Sequence, residues 1–568
     1  MALDMKRITH PALPSHLLDR THVRAPLAAL VAAAALLIAG CGAGDAAVTG
    51  DDNESAIIPL SLVSATLENA STAVPRTAIP QLVFTTDLDP GTVNGANVKL
   101  THAHGSAPLS FAVDGKQLTV VPVDGLLPLT RYSLQVESQV GGKRGQKLAS
   151  GAVLTFTTAD ASWKQSEAIA SDMSIAFSPA IAAGPAGSAT AFWVEHVAPN
   201  SYLWSRRYTP ASGWEAQQKI QTDPVGIPHS VQLAFDADGN GLAVWPQTST
   251  GNDNIWASRY TQAAGWSAAQ LIETNDAGSA EKPRLVMNPD GVAMAIWMQW
   301  DGSRNRVWSN RFTPEGGWEG ARTIDEGWGG NAIDTAIAMD RSGNALAFWY
   351  HYTGQTLELW TARYEQGMGW GTPGPFDVGH DPHPVMLEDG TAMVAWGHYD
   401  GSYHVRYRRY TPITGWGAPA TITTSGQVLT APRLAVDASA NASLVWTRGQ
   451  SSHYRVWSSQ ITSDGQWTQP DLIDADPATG AYARLRSFTK DASGNALALW
   501  SESLGGNSVT WVNRYTAASG WSTAQVISAS NEGMAFEATM AMGISGGIFA
   551  IWSQYDGTKY AIMSRRFD

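Results

Sequence analysis

From about residue 160 onward, short apolar stretches alternate with turn-forming residues, and the alternation itself repeats. Residues 228–272 show one full unit. An apolar stretch around Leu233 to Phe235 ends in the turn Asp238-Gly239-Asn240. A second runs from Leu242 to Trp245, a third from Ile255 to Tyr260, and a fourth from Trp266 to Ile272. Short runs of aromatic and β-branched residues separated by Gly, Asn and Asp predict four strands of an antiparallel meander. The second strand is apolar at successive positions, as in Ala345-Leu346-Ala347-Phe348-Trp349. That pattern predicts burial on both faces, between two neighbouring sheets.

Tryptophan marks the register of the repeat. Trp214, Trp266, Trp318 and Trp370 fall 52 residues apart, in a series that starts at Trp163 and continues through Trp416, Trp467 and Trp521. A second series runs Trp193, Trp245, Trp297, Trp349, Trp396, Trp446, Trp500, Trp552, and a third Trp204, Trp256, Trp308, Trp360, Trp457, Trp511. These hold 22 of the 24 tryptophans, which leaves Trp300 and Trp328 as the two that the repeat does not explain. A unit of roughly 50 residues without disulfides buries too little to fold alone, so the units must pack on one another. A period of this length built from short strands points to a propeller or a solenoid. Eight copies of the first three strands run from near Pro179 to Phe567, and the earliest fourth strand, at Trp163, precedes them all. That strand is free to complete the last unit, which would remove an open sheet edge. The expectation is all-β: an eight-bladed β-propeller over 160–568, closed by its N-terminal strand.

The beginning of the chain carries an address. Lys6, Arg7, Arg20 and Arg24 precede an apolar run from Ala25 to Ile38, followed by Leu37-Ile38-Ala39-Gly40-Cys41. A basic start, an apolar middle and small residues at the end describe a signal peptide, and the run is too short for an ordinary membrane span. The Leu-Ile-Ala-Gly-Cys stretch resembles a bacterial lipobox. The resemblance implies removal of residues 1–40 and lipid on Cys41, the only cysteine, so the membrane becomes a partner through that anchor. Gly42 resembles the second position of lipoproteins sorted outward. An envelope protein anchored in the outer membrane, and open to surface display, is therefore expected. Residues 41–57 are small, polar and acidic, as in a flexible tether.

Between tether and repeats, 58–159 have a different texture. Val83-Phe84-Thr85-Thr86-Asp87-Leu88-Asp89-Pro90, Leu118-Thr119-Val120-Val121-Pro122, Tyr132-Ser133-Leu134-Gln135-Val136 and Leu154-Thr155-Phe156-Thr157-Thr158 read as strands of one sandwich. The Phe-Thr-x-x-Leu-Asp-Pro start and the Phe-Thr-Thr end resemble the bacterial Ig-like domain of the S-layer-protein type. The resemblance implies a β-sandwich that serves as a spacer.

Net charge adds an exclusion. The chain carries −13, and loss of the basic leader leaves it near −15. Nucleic acid and anionic lipid are poor partners for such a chain.

Candidate chemistry comes from comparing the repeats with one another. The turn after each first strand is mostly Asp-x-x-Gly-Asn, as at Asp340 to Asn344, and the turn after each third is mostly Arg-Tyr-Thr-x-x-x-Gly, as at Arg207 to Gly213. Both lie at one end of the repeats. The recurring Arg207, Arg259, Arg311, Arg363, Arg409, Arg514 and Arg566 suggest pairing within the repeats, with the Asp of the first turn as the expected partner. The loops at the other end diverge, and divergent loops on a common scaffold are where binding sits. A polar residue follows each second-strand Trp by two positions: Glu195, Gln247, Gln299, His351, His398, Arg448, Glu502 and Gln554. It reads either as a hairpin-edge position or as a polar circle around a central funnel. Trp300, beside Asp301, and Trp328 fall in divergent loops, where an indole face could stack on a sugar. Trp300, Asp301, Trp328, His351, His398 and Gln299 are therefore the candidate ligand-binding residues. His380, His383 and His398 share one short repeat, with His351 next door, but their spacing matches no known metal signature.

No catalytic residue or cofactor is expected. The Asp-to-Trp spacing is one residue longer than the tryptophan-docking repeat of quinoprotein dehydrogenases that it resembles. Asp236-Ala237-Asp238-Gly239 only approximates a sialidase box, and Gly543-Ile544-Ser545-Gly546-Gly547 sits in a hairpin rather than at a strand-to-helix elbow. The leading expectation is a non-catalytic lipoprotein that binds glycan or protein through the divergent-loop face. The alternative is a glycoside hydrolase or polysaccharide lyase working on the same face. Carboxylates converging in the funnel would favour the alternative.

Overall fold

The computed structural model describes residues 58–568, except 104, 171–174, 221–225, 250, 327–329, 353–356, 423–426, 429–431, 438, 451–452, 463–464, 475–481, 505–506, 529–532, 544–545 and 556. The signal segment, Cys41 and Trp328 lie outside the described residues. The described chain is all-β, with one 3-10 turn at Pro90–Thr92.

The first domain packs two sheets face to face. One holds Leu62–Ala65, Gln81–Phe84, Gln117–Pro122 and Leu109–Asp114; the other holds Ser71–Val74, Ala152–Thr158, Arg131–Val136, Val98–His102 and Gly105–Ser106. Alternate residues point inward, so Leu82, Phe84, Leu118, Val120, Tyr132, Leu134 and Phe156 form its core. The Tyr132 hydroxyl accepts the Leu127 N–H at 3.0 Å and anchors the loop beneath. In the Leu-Asp-Pro stretch, Leu88 is buried and the Asp89 side chain caps the 3-10 turn through Gly91 N–H.

Each of the eight repeats then forms an antiparallel unit in the expected order. Repeat four shows it: Asn331–Met339, Ala345–Tyr352 and Leu357–Glu365 pair in sequence. The fourth strand is not one piece. In repeat two, Gly265–Trp266 and Gln270–Leu271 pair separately with the third strand, and Ser267 between them donates its N–H to Arg259 O at 2.7 Å. Repeats six and seven are joined into one sheet by a parallel bridge between Tyr454 and Tyr482. In repeat eight, the outer edge is filled from upstream. Glu167–Ala168 pairs with Tyr560–Phe567, and Trp163 bridges Phe567.

The second-strand tryptophans are the largest fully buried side chains, and they sit between repeats. Met294 and Ile296 of repeat three pack with Ala345, Ala347 and Trp349 of repeat four. Ile551 of repeat eight packs in the same way with Trp193 of repeat one. The first strands, which are innermost, each lie against the next. The first strand of repeat eight, Met534–Met542, lies against that of repeat one, Ile175–Ala183.

The recurring arginines do not pair with the first-turn aspartates. Each Asp instead closes its own turn: Asp340 accepts from the N–H and the side-chain amide of Asn344, and Asp491 does the same for Asn495. The arginines reach across to the next repeat. Arg207 lies over Tyr260, Arg259 over Phe312, Arg311 over Tyr364, Arg363 over Tyr410, Arg514 over Phe567 and Arg566 over Tyr208. The aromatic residue that follows Arg in the next third strand is a better-placed partner, because a half-dry guanidinium gains from a ring face. Arg409 is exposed, and the residue at the partner position in repeat six is Ile461.

The uniform turns also carry the first domain. Thr130 Oγ1 lies 3.1 Å from Ser493 Oγ, Asp160 pairs with Arg514, and Pro128 and Leu127 press on Gly546. The sandwich is thus packed against the turn end of repeats seven and eight. The divergent-loop end points away from it.

Candidate functional site

The inner strands share a backbone irregularity that creates the site. Ser178, Ser230, Lys282, Asp334, Asp381 and Glu537 occupy one position of the repeat, and all have φ between 51° and 54°. A left-handed conformation is uncommon for residues with a Cβ. Five of the six sit at breaks in the pairing between first and second strand, as at Ile333/Thr335 and His380/His383. A bulge inserts one residue and re-aims the side chains around it. Here it sends Arg284 and His383, each two residues further on, into the space between the inner strands.

That space is a cavity of about 650 Å³ lined by Gln232, Arg284, Asp334, Tyr350, Asp381, His383, Arg433 and Arg484, among others. A second lobe of about 490 Å³ shares Gln232, Arg284, Arg433 and Arg484 and adds Arg486 and Glu537. Each volume lies in the range of small-molecule sites. The bulges fall nearer the start of each inner strand, on the divergent-loop side of the strand.

Polar contacts fix most of its wall. The Tyr350 hydroxyl donates to Asp381 Oδ1 at 2.8 Å and accepts the Asp381 N–H. Burial, then the charges of Asp381 and Asp334, push the Tyr350 phenol far above its ordinary range, so it stays protonated. Arg284 Nε donates to Thr335 O at 3.1 Å, and its Nη2 lies 3.4 Å from Asp334 Oδ1. His383 Nδ1 accepts the Leu434 N–H at 3.3 Å, which leaves the proton on Nε2. Burial, with Arg433 and Arg284 close by, pushes the His383 pKa down to about 3, so the imidazole is neutral near pH 7.

Of the residues singled out from sequence, His383 lines the cavity, whereas Gln299, His351, His398, Trp300 and Asp301 do not. Gln299 is 0% exposed. Its Oε1 accepts the Trp297 indole N–H at 3.0 Å, and its Nε2 donates to Glu273 Oε2 at 2.9 Å. Gln247, Glu502 and Gln554 accept from Trp245, Trp500 and Trp552 in the same way. Residues two apart share one face of a strand, so these four members of the polar series serve buried indoles. His351 is buried with its ring against Trp360 at 4.8 Å. His398 is buried with Nδ1 2.5 Å from Val378 O, and Asp377 and Asp400 lie at 3.9 and 3.7 Å. His380 packs on Gly397 and reaches Asp381 at 3.2 Å. Among the described residues, no three His, Cys, Asp or Glu side chains come together as metal ligands, so the histidines of this repeat do not form one cluster.

Trp300 is 38% exposed at the end of its strand, with its indole over Gly278. Asp301 caps its own hairpin. Burial would raise its pKa, but hydrogen bonds from the Ser303 hydroxyl, from the Arg304 and Ser303 N–H groups and from Arg306 outweigh this and hold the carboxyl at about 2.

Comparison with known proteins identifies one part of the chain. Residues 56–158 match the family model of the bacterial Ig-like domain. That match covers the sandwich and none of the repeats. No curated protein matches the chain by sequence. Three similar solved structures can be described. A lectin, BP39L from Burkholderia pseudomallei, is 14% identical with TM-score 0.43, over 62% of this chain and 99% of the lectin. The polysaccharide lyase Uly1 is 10% identical with TM-score 0.41, over 62% of this chain and 92% of the lyase. A protein of unknown function from Dyadobacter fermentans is 14% identical with TM-score 0.35, over 55% of this chain and 98% of its own. Likenesses this distant transfer no function to this chain.

Proposed function

We propose that this chain is a lipid-anchored envelope protein whose repeats are the blades of a closed eight-bladed propeller, and that the propeller binds glycan at the divergent-loop end of its channel. In this reading residues 1–40 are removed, Cys41 carries lipid, 41–57 are a tether, and the sandwich of 58–159 presents the propeller of 160–568. The observation that carries the binding site is the polar cavity formed by the left-handed bulges. Six strained positions at one level of the inner strands cost folding energy that a purely structural channel has no reason to spend. Planar amide, guanidinium, imidazole and phenol groups suit a hydroxyl-rich ligand. Packing of the sandwich on the opposite end keeps the mouth clear. Trp300 and Asp301 stand at the periphery, where the half-exposed indole offers a stacking surface. Closure of the ring is supported by the pairing of Glu167–Ala168 with the last repeat and by Arg566 over Tyr208.

A second reading, a glycoside hydrolase or polysaccharide lyase, is favoured by Asp334 and Asp381 lining the same cavity. One experiment separates the two. The full chain is applied to a glycan array, and each bound glycan is then incubated with the protein and assayed for new reducing ends and unsaturated sugar products. Retention without products is expected. Turnover abolished by Asp381→Asn would make it an enzyme, and no retention on any glycan would defeat both readings. Mass spectrometry of membrane-extracted protein should find a lipid-modified Cys41; an unmodified mature N-terminus elsewhere would refute the anchor.

A further inference from the structure

The channel's charges are out of balance, and the imbalance indicates the class of ligand. Arg284, Arg433 and Arg484 come from three different inner strands, Ala280–Met287, Arg433–Val436 and Tyr482–Lys490, and line one cavity. Arg486 joins them in the second lobe. The acids of the same walls are already engaged. Asp334 is held by Arg284 at 3.4 Å, Asp381 by the Tyr350 hydroxyl at 2.8 Å, and Glu537 Oε2 by the Ser178 N–H at 2.7 Å. Among the described residues, no carboxylate forms an ion pair with Arg433 or Arg484.

Guanidiniums drawn together in a protein-walled channel repel one another, and a low-dielectric wall strengthens that repulsion. Burial, and next the charge of Arg284, lower the pKa of Arg433 from its usual value, outweighing the opposite pull of Asp381 and Asp334. The two lobes hold four arginines against three acids, Asp334, Asp381 and Glu537, so they carry one excess positive charge in a chain whose net charge is −13. An arginine fork matches the paired oxygens of a planar carboxylate or of a sulfate ester. Gln232 and the neutral His383 Nε2–H add uncharged groups beside it.

Resting on the glycan-binding reading above, we infer that the ligand is an acidic glycan whose carboxylate or sulfate oxygens are held by Arg433, Arg484 and Arg284.

Three immobilised polysaccharides test the inference and identify the source of the anion. Polygalacturonate carries carboxylates, dextran sulfate carries sulfates, and dextran is neutral. The full chain, Arg433→Gln and Arg484→Gln are compared, with a melting temperature for each. Arg484 is exposed in the channel, so its variant remains informative if Arg433→Gln fails to fold. Wild type should bind polygalacturonate or dextran sulfate and not dextran. Each variant with wild-type melting should bind at least tenfold more weakly, with a shallower dependence of affinity on salt. Carboxylate or sulfate binding that survives both substitutions overturns the inference. Binding to dextran alone overturns it while leaving the glycan reading standing. Binding to none of the three counts against both.

Discussion

The guanidinium of Arg566 lies 4.7 Å from the ring centroid of Tyr208, and this contact joins repeat eight to repeat one. It is the same contact that joins repeat one to repeat two, where Arg207 lies over Tyr260 and also donates to its hydroxyl at 2.9 Å. A half-dry cation on an aromatic face contributes about 1 kcal/mol. Arg566→Ala should therefore lower stability by about 1–2 kcal/mol in urea unfolding. Arg409→Ala, at the position with no aromatic partner, should stay within about 0.5 kcal/mol. Equal costs for the two would remove the arginine–aromatic contact as a joint between repeats.

The upstream strand should matter more than its length suggests. Trp163 packs on Phe567 at 5.2 Å between ring centroids, and Arg565 donates to Lys164 O at 2.7 Å. Deleting 161–170 bares the edge of Tyr560–Phe567 and should cause aggregation or a large fall in melting temperature. A truncated protein that melts like the full one would show that repeat eight does not depend on this strand.

Gln299 distinguishes a structural from a binding role for the polar series. Gln299→Leu strands the Trp297 N–H in a dry setting, at a cost of about 1–3 kcal/mol, and removes one of the two donors to Glu273 Oε2, which keeps the Asn275 N–H. Chemical denaturation should show the loss, while glycan affinity of the folded protein stays at the wild-type level. A weaker affinity at unchanged stability would return Gln299 to the binding site.

The strand order and the role of Trp163 were legible in the sequence because both follow from burial and period, which residue types display directly. The cavity was not, because a bulge is a property of the backbone. The residues that bear it are Ser178, Ser230, Lys282, Asp334, Asp381 and Glu537, and no shared side-chain chemistry announces them. A faint signal exists: the first four are polar residues that fall 52 residues apart. The polar series after each Trp was visible but open to two readings. At Trp245, Trp297, Trp500 and Trp552 the indole N–H sealed between sheets finds its acceptor two residues further along the same strand face.

His383 predicts an acid sensitivity with a definite sign. Its folded pKa of about 3 lies below the unfolded value near 6.5, so above pH 6.5 it has no effect on stability. As pH falls from about 6.5 toward 3, the unfolded chain takes up a proton that the folded chain refuses. Stability then drops by at most ~1.4 kcal/mol per pH unit from this group, and by less because the side chain is only half-buried. His383→Gln should flatten the pH–stability curve in that window. An unchanged slope would mean that the imidazole is solvated when folded.

The most direct test fills the channel itself. Ala336 lines the cavity on the inner strand of repeat four, and Ala336→Trp would occupy its space. Trp300→Ala, at the half-exposed strand end, serves as the comparison. Affinity for the best array glycan is measured for both, together with melting temperature. With the channel as the site, Ala336→Trp should abolish binding at near-native melting, and Trp300→Ala should weaken it by roughly tenfold or less. Wild-type affinity in a folded Ala336→Trp protein would place the ligand outside the channel and contradict the assignment.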